Sequence, residues 1–216
     1  MMGCCCKIIC DGCCYANQKR EKEAGLEHRC VYCREPAPKS NEKSLKQVME
    51  RVKKNDPAAM CFMGKKHAQE GNFGEALEYW TKAAELGDVE ANYCLGGIHY
   101  NGNGVEKDEK KAIHHTELAA IGGHTLARGY LAATEIQNGR MERGAKHWII
   151  NANLGCDLSL QQVKELFVKG IVSKDEYADA LRGYQAAVDA TKSAEREEGE
   201  AFYAFAYSKI DEGHSN

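Results

Sequence analysis

Apolar positions recur at helical spacing along most of this chain. Between Ser44 and Lys54, residues Leu45, Val48, Met49 and Val52 fall at i, i+3, i+4 and i+7, which predicts a helix with one buried face. Farther on, Ala-Ala-Glu-Leu-Gly87, Ala-Ala-Ile-Gly-Gly123 and Asn-Ala-Asn-Leu-Gly155 align beneath one another at spacings of 36 and 32 residues. Helical patterns begin after Asp56, Asp88, His124 and Cys156, and a second helix begins in each unit near Phe73, Asp108, Met141 and Ser173. The period predicts four helix-turn-helix repeats over 56–87, 88–123, 124–155 and 156–189. In such an array neither helix buries its apolar face alone, and stacking of neighbours makes the core.

Local chemistry supports those boundaries. Asp56 is a cap with Pro57 at the first helical position, where a missing N–H costs nothing. Ser173 and Glu176 have the spacing of a capping box. Gly87, Gly123 and Gly155 stand where a left-handed residue ends a helix. Repeats two and four read as four residues longer between their helices than repeats one and three, with Asn101-Gly-Asn-Gly-Val105 filling the turn of repeat two. Ala83, Ala84, Ala119, Ala120, Ala152, Ala186 and Ala187 allow close helix approach, while Leu77, Trp80, Trp148, Leu181 and Tyr184 fill the larger gaps. The helix over 44–54 reads as a cap on the stack, and Ala201-Phe-Tyr-Ala-Phe-Ala-Tyr207 as a last helix covering repeat four.

Composition changes this picture at the ends. Pro36, Pro38 and Pro57 mark a linker region, so residues 1–35 form a separate module, 36–55 a linker and capping helix, and 190–216 a charged C-terminal helix or tail. The net charge of -3 in 216 residues lacks the basic balance that nucleic acid favours, and no segment has the roughly 20 apolar residues of a membrane helix. A soluble, intracellular protein is expected, in the cytoplasm or the nucleus. Eight of the 11 cysteines lie in the first 33 residues. Without a secretory signal, close cysteine pairs more often hold metal than form disulfides.

Tyr-Cys-Leu-Gly-Gly-Ile-His-Tyr-Asn-Gly-Asn-Gly-Val-Glu-Lys-Asp108 with Lys111-Ala112 resembles the unit of the Sel1-like repeat family, relatives of tetratricopeptide repeats. Repeats one and three lack the Gly-x-Gly-Val insertion, and repeat four lacks the terminal glycine. The resemblance implies an all-α right-handed solenoid whose inner surface binds protein segments.

Cys10-x2-Cys13-x16-Cys30-x2-Cys33 has the arrangement of a closed zinc site, because each pair presents two thiolates to one tetrahedral ion. Such an ion is structural, with no open position for water. With Cys4 and Cys5 added, the segment is similar to the latter part of a RING-type zinc finger. That resemblance gives Cys10 and Cys13 to a first Zn2+ and Cys30, Cys33, Cys5 and either Cys4 or Cys6 to a second. Lys7 occupies the place of the usual histidine ligand, and the upstream Cys-x2-Cys pair of a RING is missing. Either the start is truncated or the four paired cysteines hold one ion.

The combination reads as a zinc-binding protein-interaction adaptor. The alternative is a RING-type ubiquitin ligase that uses the repeats to recruit substrate and the finger to recruit a ubiquitin-conjugating enzyme. No catalytic triad, Walker loop, dinucleotide fingerprint or paired-carboxylate arrangement appears in supporting context, and no cofactor beyond zinc is expected. His114, His115 and His147 lie on second helices, with His115 and His147 aligned on Tyr79, and read as packed or solvated.

Overall fold

The computed structural model describes residues 11–38 and 40–213. The described chain is all-α apart from an isolated antiparallel bridge between Arg29 and Pro36. Its helices are α1 (Asp11–Glu23), α2 (Asn41–Val52), α3 (Pro57–Gln69), α4 (Phe73–Glu85), α5 (Val89–Asn101), α6 (Glu109–Ile121), α7 (Thr125–Gln137), α8 (Met141–Ala152), α9 (Asp157–Val168), α10 (Lys174–Thr191) and α11 (Ala194–Gly213). They fall into two compact units: residues 60–191, and residues 1–59 together with 192–216.

Every first helix starts directly after Asp56, Asp88, His124 or Cys156, where the sequence reading placed it, because the junctions are built from one hydrogen-bond pattern. At the end of α4, Gly87 N–H donates to the Ala84 carbonyl (2.9 Å) and Asp88 N–H to the Ala83 carbonyl (2.9 Å). This double closure requires a left-handed residue, and Gly87 has φ 86°. Asp88 then turns outward and its carboxylate accepts from Ala91 N–H at 2.7 Å, capping α5. The same pair of bonds closes α6 at Gly123 and His124, and α8 at Gly155 and Cys156. It also closes α2, with Asn55 (φ 56°) in the left-handed place and Asp56 capping α3 through Ala59 N–H. Each helix end is therefore the next helix start. The Ser173–Glu176 box is present, with Ser173 N–H to Glu176 Oε2 at 2.9 Å and Glu176 N–H to Ser173 Oγ at 3.2 Å.

Within a repeat the two helices approach through small residues at one register. A Cβ on Gly64 would lie 2.5 Å from the Trp80 ring, and one on Gly96 would lie 2.6 Å from Thr116 Oγ1. In repeat three the approach is reversed: Gly144 on α8 faces Ile136 and the Ala132 carbonyl. Repeat four carries exposed Lys164 at that register and packs instead around Val163, Leu166, Val172 and Ala180. Ala119, Ala120, Ala127 and Leu131 join repeat two to repeat three.

Three expectations need correction. The connections are 70–72, 102–108, 138–140 and 169–173, so repeat two alone has the long turn and repeat four is only slightly longer than its shorter neighbours. Ala83, Ala119, Ala120 and Ala152 are buried, but Ala186 and Leu181 face solvent, because α10 extends to Thr191 with one flank uncovered. The helix read as starting at Ser44 begins at Asn41, since Ser40 Oγ accepts from Lys43 N–H (3.2 Å) and caps it upstream of the apolar pattern.

In the smaller unit α11, read from sequence as the cover of repeat four, packs on α1. Gly12 and Gly199 bring the two backbones together: a Cβ on Gly199 would lie 2.6 Å from Gly12 Cα. Lys19 pairs with Glu198 at 2.7 Å, and the Tyr15 and Phe202 rings lie 4.9 Å apart.

Trp80 is 5% exposed and donates its indole N–H to the Cys61 carbonyl at 3.2 Å. Trp80→Ala is expected to cost about 3–5 kcal/mol, and Asp88→Ala about 1 kcal/mol, in urea unfolding followed by circular dichroism.

Candidate functional site

One concavity in the repeats lies between α5 and α7. It has a volume of about 370 Å³ and is walled by Tyr93 and Tyr100 from α5 and Tyr130 from α7, with Cys94 and Thr116 at its sides. Helical spacing explains the wall: Tyr93, Gly97 and Tyr100 stand at i, i+4 and i+7 on one face of α5. Gly97 is exposed, and a Cβ built there would meet nothing within 4 Å, so the absence of a side chain leaves this part of the groove open. Tyr100 and Tyr130 meet edge to face at 5.6 Å, and Lys107 Nζ from the long turn stands 5.1 Å from the Tyr100 ring centre. Burial and the neighbouring Tyr100 raise the Tyr130 phenol, which stays neutral at physiological pH.

A polar ladder ties three first helices together beside the groove. Glu90 of α5 receives Lys65 of α3 at 2.6 Å and His124, the cap of α7, at 3.0 Å. His124 Nδ1 accepts from Ala127 N–H at 3.1 Å, which assigns the proton to Nε2, facing Glu90. Burial raises the Glu90 carboxyl, but the hydrogen bond and charge of Lys65 and the hydrogen bond from His124 outweigh it and hold the group below the usual carboxylate range. Tyr93 stacks on His124 at 4.2 Å. The ladder orients the tyrosine that forms one wall of the groove.

Of the cysteines read as zinc ligands, Cys4, Cys5 and Cys10, and the alternative Cys6, lie outside the described residues. Cys13 sits exposed on α1, Cys30 is buried and Cys33 is exposed. Cys30 and Cys33 share a tight hairpin. Cys30 N–H donates to the Glu35 carbonyl (2.8 Å), Arg34 N–H to the Cys30 carbonyl (2.9 Å) and Tyr32 N–H to Cys30 Sγ (3.4 Å). Arg34 closes the turn in the left-handed region at φ 60°. Beneath the hairpin, Glu21 accepts from Arg29 N–H (3.2 Å) and pairs with His28 (2.6 Å). Among the described residues no group of three or more His, Cys, Asp or Glu side chains is placed to hold a metal ion.

The Sel1 repeat family model matches residues 57–88 and 89–124, the two units whose junctions and close helix approach are described above. A curated relative, "Putative beta-lactamase HcpC" from Helicobacter pylori, is 38% identical over 56 residues, which are 26% of this chain and 19% of that protein. The chain therefore matches about a fifth of that relative's length. Among solved structures, a Sel1 repeat protein from Oxalobacter formigenes superposes with a TM-score of 0.57 at 24% identity, covering 83% of this chain and 70% of that one. The protective antigen c5321 of uropathogenic Escherichia coli, which displays the same repeat fold, gives 0.53 at 20% identity, covering 76% and 36%. These likenesses establish the all-α Sel1-type solenoid fold. No described helix is long and apolar enough to cross a membrane.

The Sel1 register also explains the histidines. His67 and His99 occupy equivalent places on the first helices of repeats one and two, and Tyr79, His115 and His147 equivalent places on second helices. His67 stacks on Tyr79 at 5.4 Å and His99 on His115 at 5.8 Å. His67, His99 and His115 are packed side chains, one of the two roles, packed or solvated, that the sequence reading gave His115. Three tyrosines, Lys65 and Glu90 went unremarked in sequence, although the i, i+4, i+7 spacing around Gly97 was a usable signal.

Burial lowers His99, His115 and His147; neighbouring His114 and His99 add to the effect at His115, and Arg128 at His147. The folded state thus holds these imidazoles neutral, while the unfolded chain protonates near pH 6.5. Below that pH the unfolded state binds more protons, so the contribution is intact above about 6.5 and is lost as pH falls through the depressed values. Urea midpoints are expected to drop between about pH 6.5 and 5, above the range where carboxylates titrate. The double variant His99→Phe/His147→Phe should flatten that drop; an unchanged slope would assign it elsewhere.

Proposed function

We propose that this chain is a protein-binding scaffold whose Sel1 repeats take an extended segment of a partner protein in the tyrosine groove between α5 and α7. The groove itself carries the reading. It is open and walled by rings that offer large contact area at little cost in side-chain entropy. Glu90 is paired with Lys65 and accepts a hydrogen bond from His124, so the adjacent surface does not call for a strongly charged ligand. Specificity then rests on shape and on hydrogen bonds to the phenols. Selection of peptides from a random display library against the full chain tests this. Gly97→Trp puts a large ring into the groove from a Cβ position that meets nothing within 4 Å, with better helix propensity, and should weaken selected peptides by about tenfold or more, as should Tyr130→Ala. Undiminished binding to both variants, with helical content unchanged, would remove the groove from the reading.

A second reading concerns the cysteine module, as a structural zinc site held by Cys10, Cys13, Cys30 and Cys33, with Cys4 and Cys5 as further ligands if two ions bind. The observation that favours it is the hairpin. A backbone N–H aimed at Cys30 Sγ and a left-handed residue directly after Cys33 are what a two-thiolate knuckle needs, since amide donors stabilise a coordinated thiolate. When bound, zinc would fold and cross-link this segment and supply no reaction. Native mass spectrometry of the full chain should find one or two Zn2+ ions. Chelation should expose residues before Pro36 to protease while leaving most helical signal intact. A chain isolated without zinc that also fails to take it up would end this reading. Recruitment of a ubiquitin-conjugating enzyme is the further step, and autoubiquitination by the zinc-loaded chain is its measurement.

A further inference from the structure

Repeat two differs from its neighbours at one end of the tyrosine groove. Tyr100 stands at that end, where Ala68 and Ile136 hold the equivalent places on the first helices of repeats one and three. The long turn brings a cation to the ring: Lys107 Nζ stands over the Tyr100 face, 5.1 Å from its centre, and lies 3.5 Å from Glu109 Oε1. The backbone that presents it is pinned. Asn103 N–H donates to the Ile98 carbonyl (3.2 Å) and Asp108 N–H to the His99 carbonyl (3.0 Å), while a Cβ on Gly104 would lie 2.6 Å from Phe73 Cβ. The two charged side chains stay open to water, Lys107 at 54% and Glu109 at 71% exposure. An ion pair so exposed contributes little to stability, so the ammonium leaves the ring at small cost.

We propose, building on the groove reading, that this end of the groove selects a cationic side chain, arginine or lysine, of the bound segment, and that Lys107 is a tethered placeholder which that side chain displaces. The ring face attracts a cation through its quadrupole, and the Glu109 carboxylate that now holds Lys107 supplies the opposite charge. Asp108 is otherwise engaged, since it caps α6 through Lys111 N–H at 3.0 Å and its other oxygen lies 3.8 Å from Lys111 Nζ. Tyr130, edge to face with Tyr100 at 5.6 Å, fixes the orientation of the ring. A partner's cation gains more from the site than Lys107 does. The rest of the bound segment covers the groove and excludes water from the ring and the ion pair, which strengthens both interactions. A guanidinium does so twice over, stacking its plane on the ring while its fork of donors reaches the carboxylate. At the opposite end Glu90 is paired with Lys65 and accepts from His124, so the preference for a cation is confined to one position of the segment.

The experiment takes peptides selected against the full chain whose binding is lost in Gly97→Trp, and measures their affinities by titration calorimetry. Each peptide should carry an arginine or lysine at one fixed position. Exchanging that residue for its neutral counterpart, citrulline or acetyl-lysine, should weaken binding by about tenfold, and in Tyr100→Leu most of this penalty should disappear. Lys107→Ala should tighten the cationic peptides several-fold, because the competing ammonium is gone, while Glu109→Gln should weaken them. Groove-dependent peptides that lack a basic residue, or that bind equally well with the neutral counterpart, would overturn the proposal and leave the groove reading standing. Unchanged or weaker binding to Lys107→Ala would overturn it too. A selection that yields no groove-dependent peptide would end both readings. Lys107 and Glu109 are exposed, so both variants should keep the fold, and the citrulline exchange needs no variant chain at all.

Discussion

The repeat unit depends on one backbone device, the double hydrogen bond that ends a second helix and hands its last residue to the next helix as a cap. At 83–91 a left-handed glycine lets Asp88 N–H reach back to Ala83 while its carboxylate reaches forward to Ala91. Because both functions fall on adjacent residues, the angle between consecutive repeats has little freedom. The device tolerates different side chains: Asp at 56 and 88, His at 124, and at 156 a cysteine whose side chain makes no capping bond. What it does not tolerate is a missing left-handed residue. Asn55 supplies that conformation where no glycine is present.

From that junction follows the placement of everything on the first helices. Neighbouring first helices meet with their residues offset in register, so Lys65, Glu90 and His124 connect across three units and Tyr100 meets Tyr130. The cap of α7 being histidine instead of aspartate adds a ring that Tyr93 can stack on and a second nitrogen that reaches Glu90. Capping, inter-repeat coupling and the shape of the groove thus share one side chain.

The helix starts, the capping box, the glycine closures and the bland reading of the histidines were legible in sequence because each rests on local rules within a few residues. The reading went astray where packing overrides pattern. Repeat four carries Lys164 where the earlier units have Gly64, Gly96 and Ala132, so its helices meet through a different set of residues, and Leu181 and Ala186 are left exposed. The aromatic C-terminal segment looked like a cover for repeat four because amphipathicity says that a face will be buried, but not against what. Gly12 and Gly199, unremarkable in isolation, are what make α1 its partner.

By itself the sequence determined an all-α Sel1-type array, its period, and the positions of its helix junctions, since these follow from backbone geometry and spacing. It also marked a cysteine-rich segment before Pro36 with the spacing of a metal site. Only the tertiary structure decided which residues face each other across 30 or more positions: Tyr100 with Tyr130 and Glu90 with His124. The reason is physical. A repeat period states which positions are equivalent, but the register between neighbouring units, set by the left-handed junction and the close approach at Gly64 and Gly96, states which of them touch.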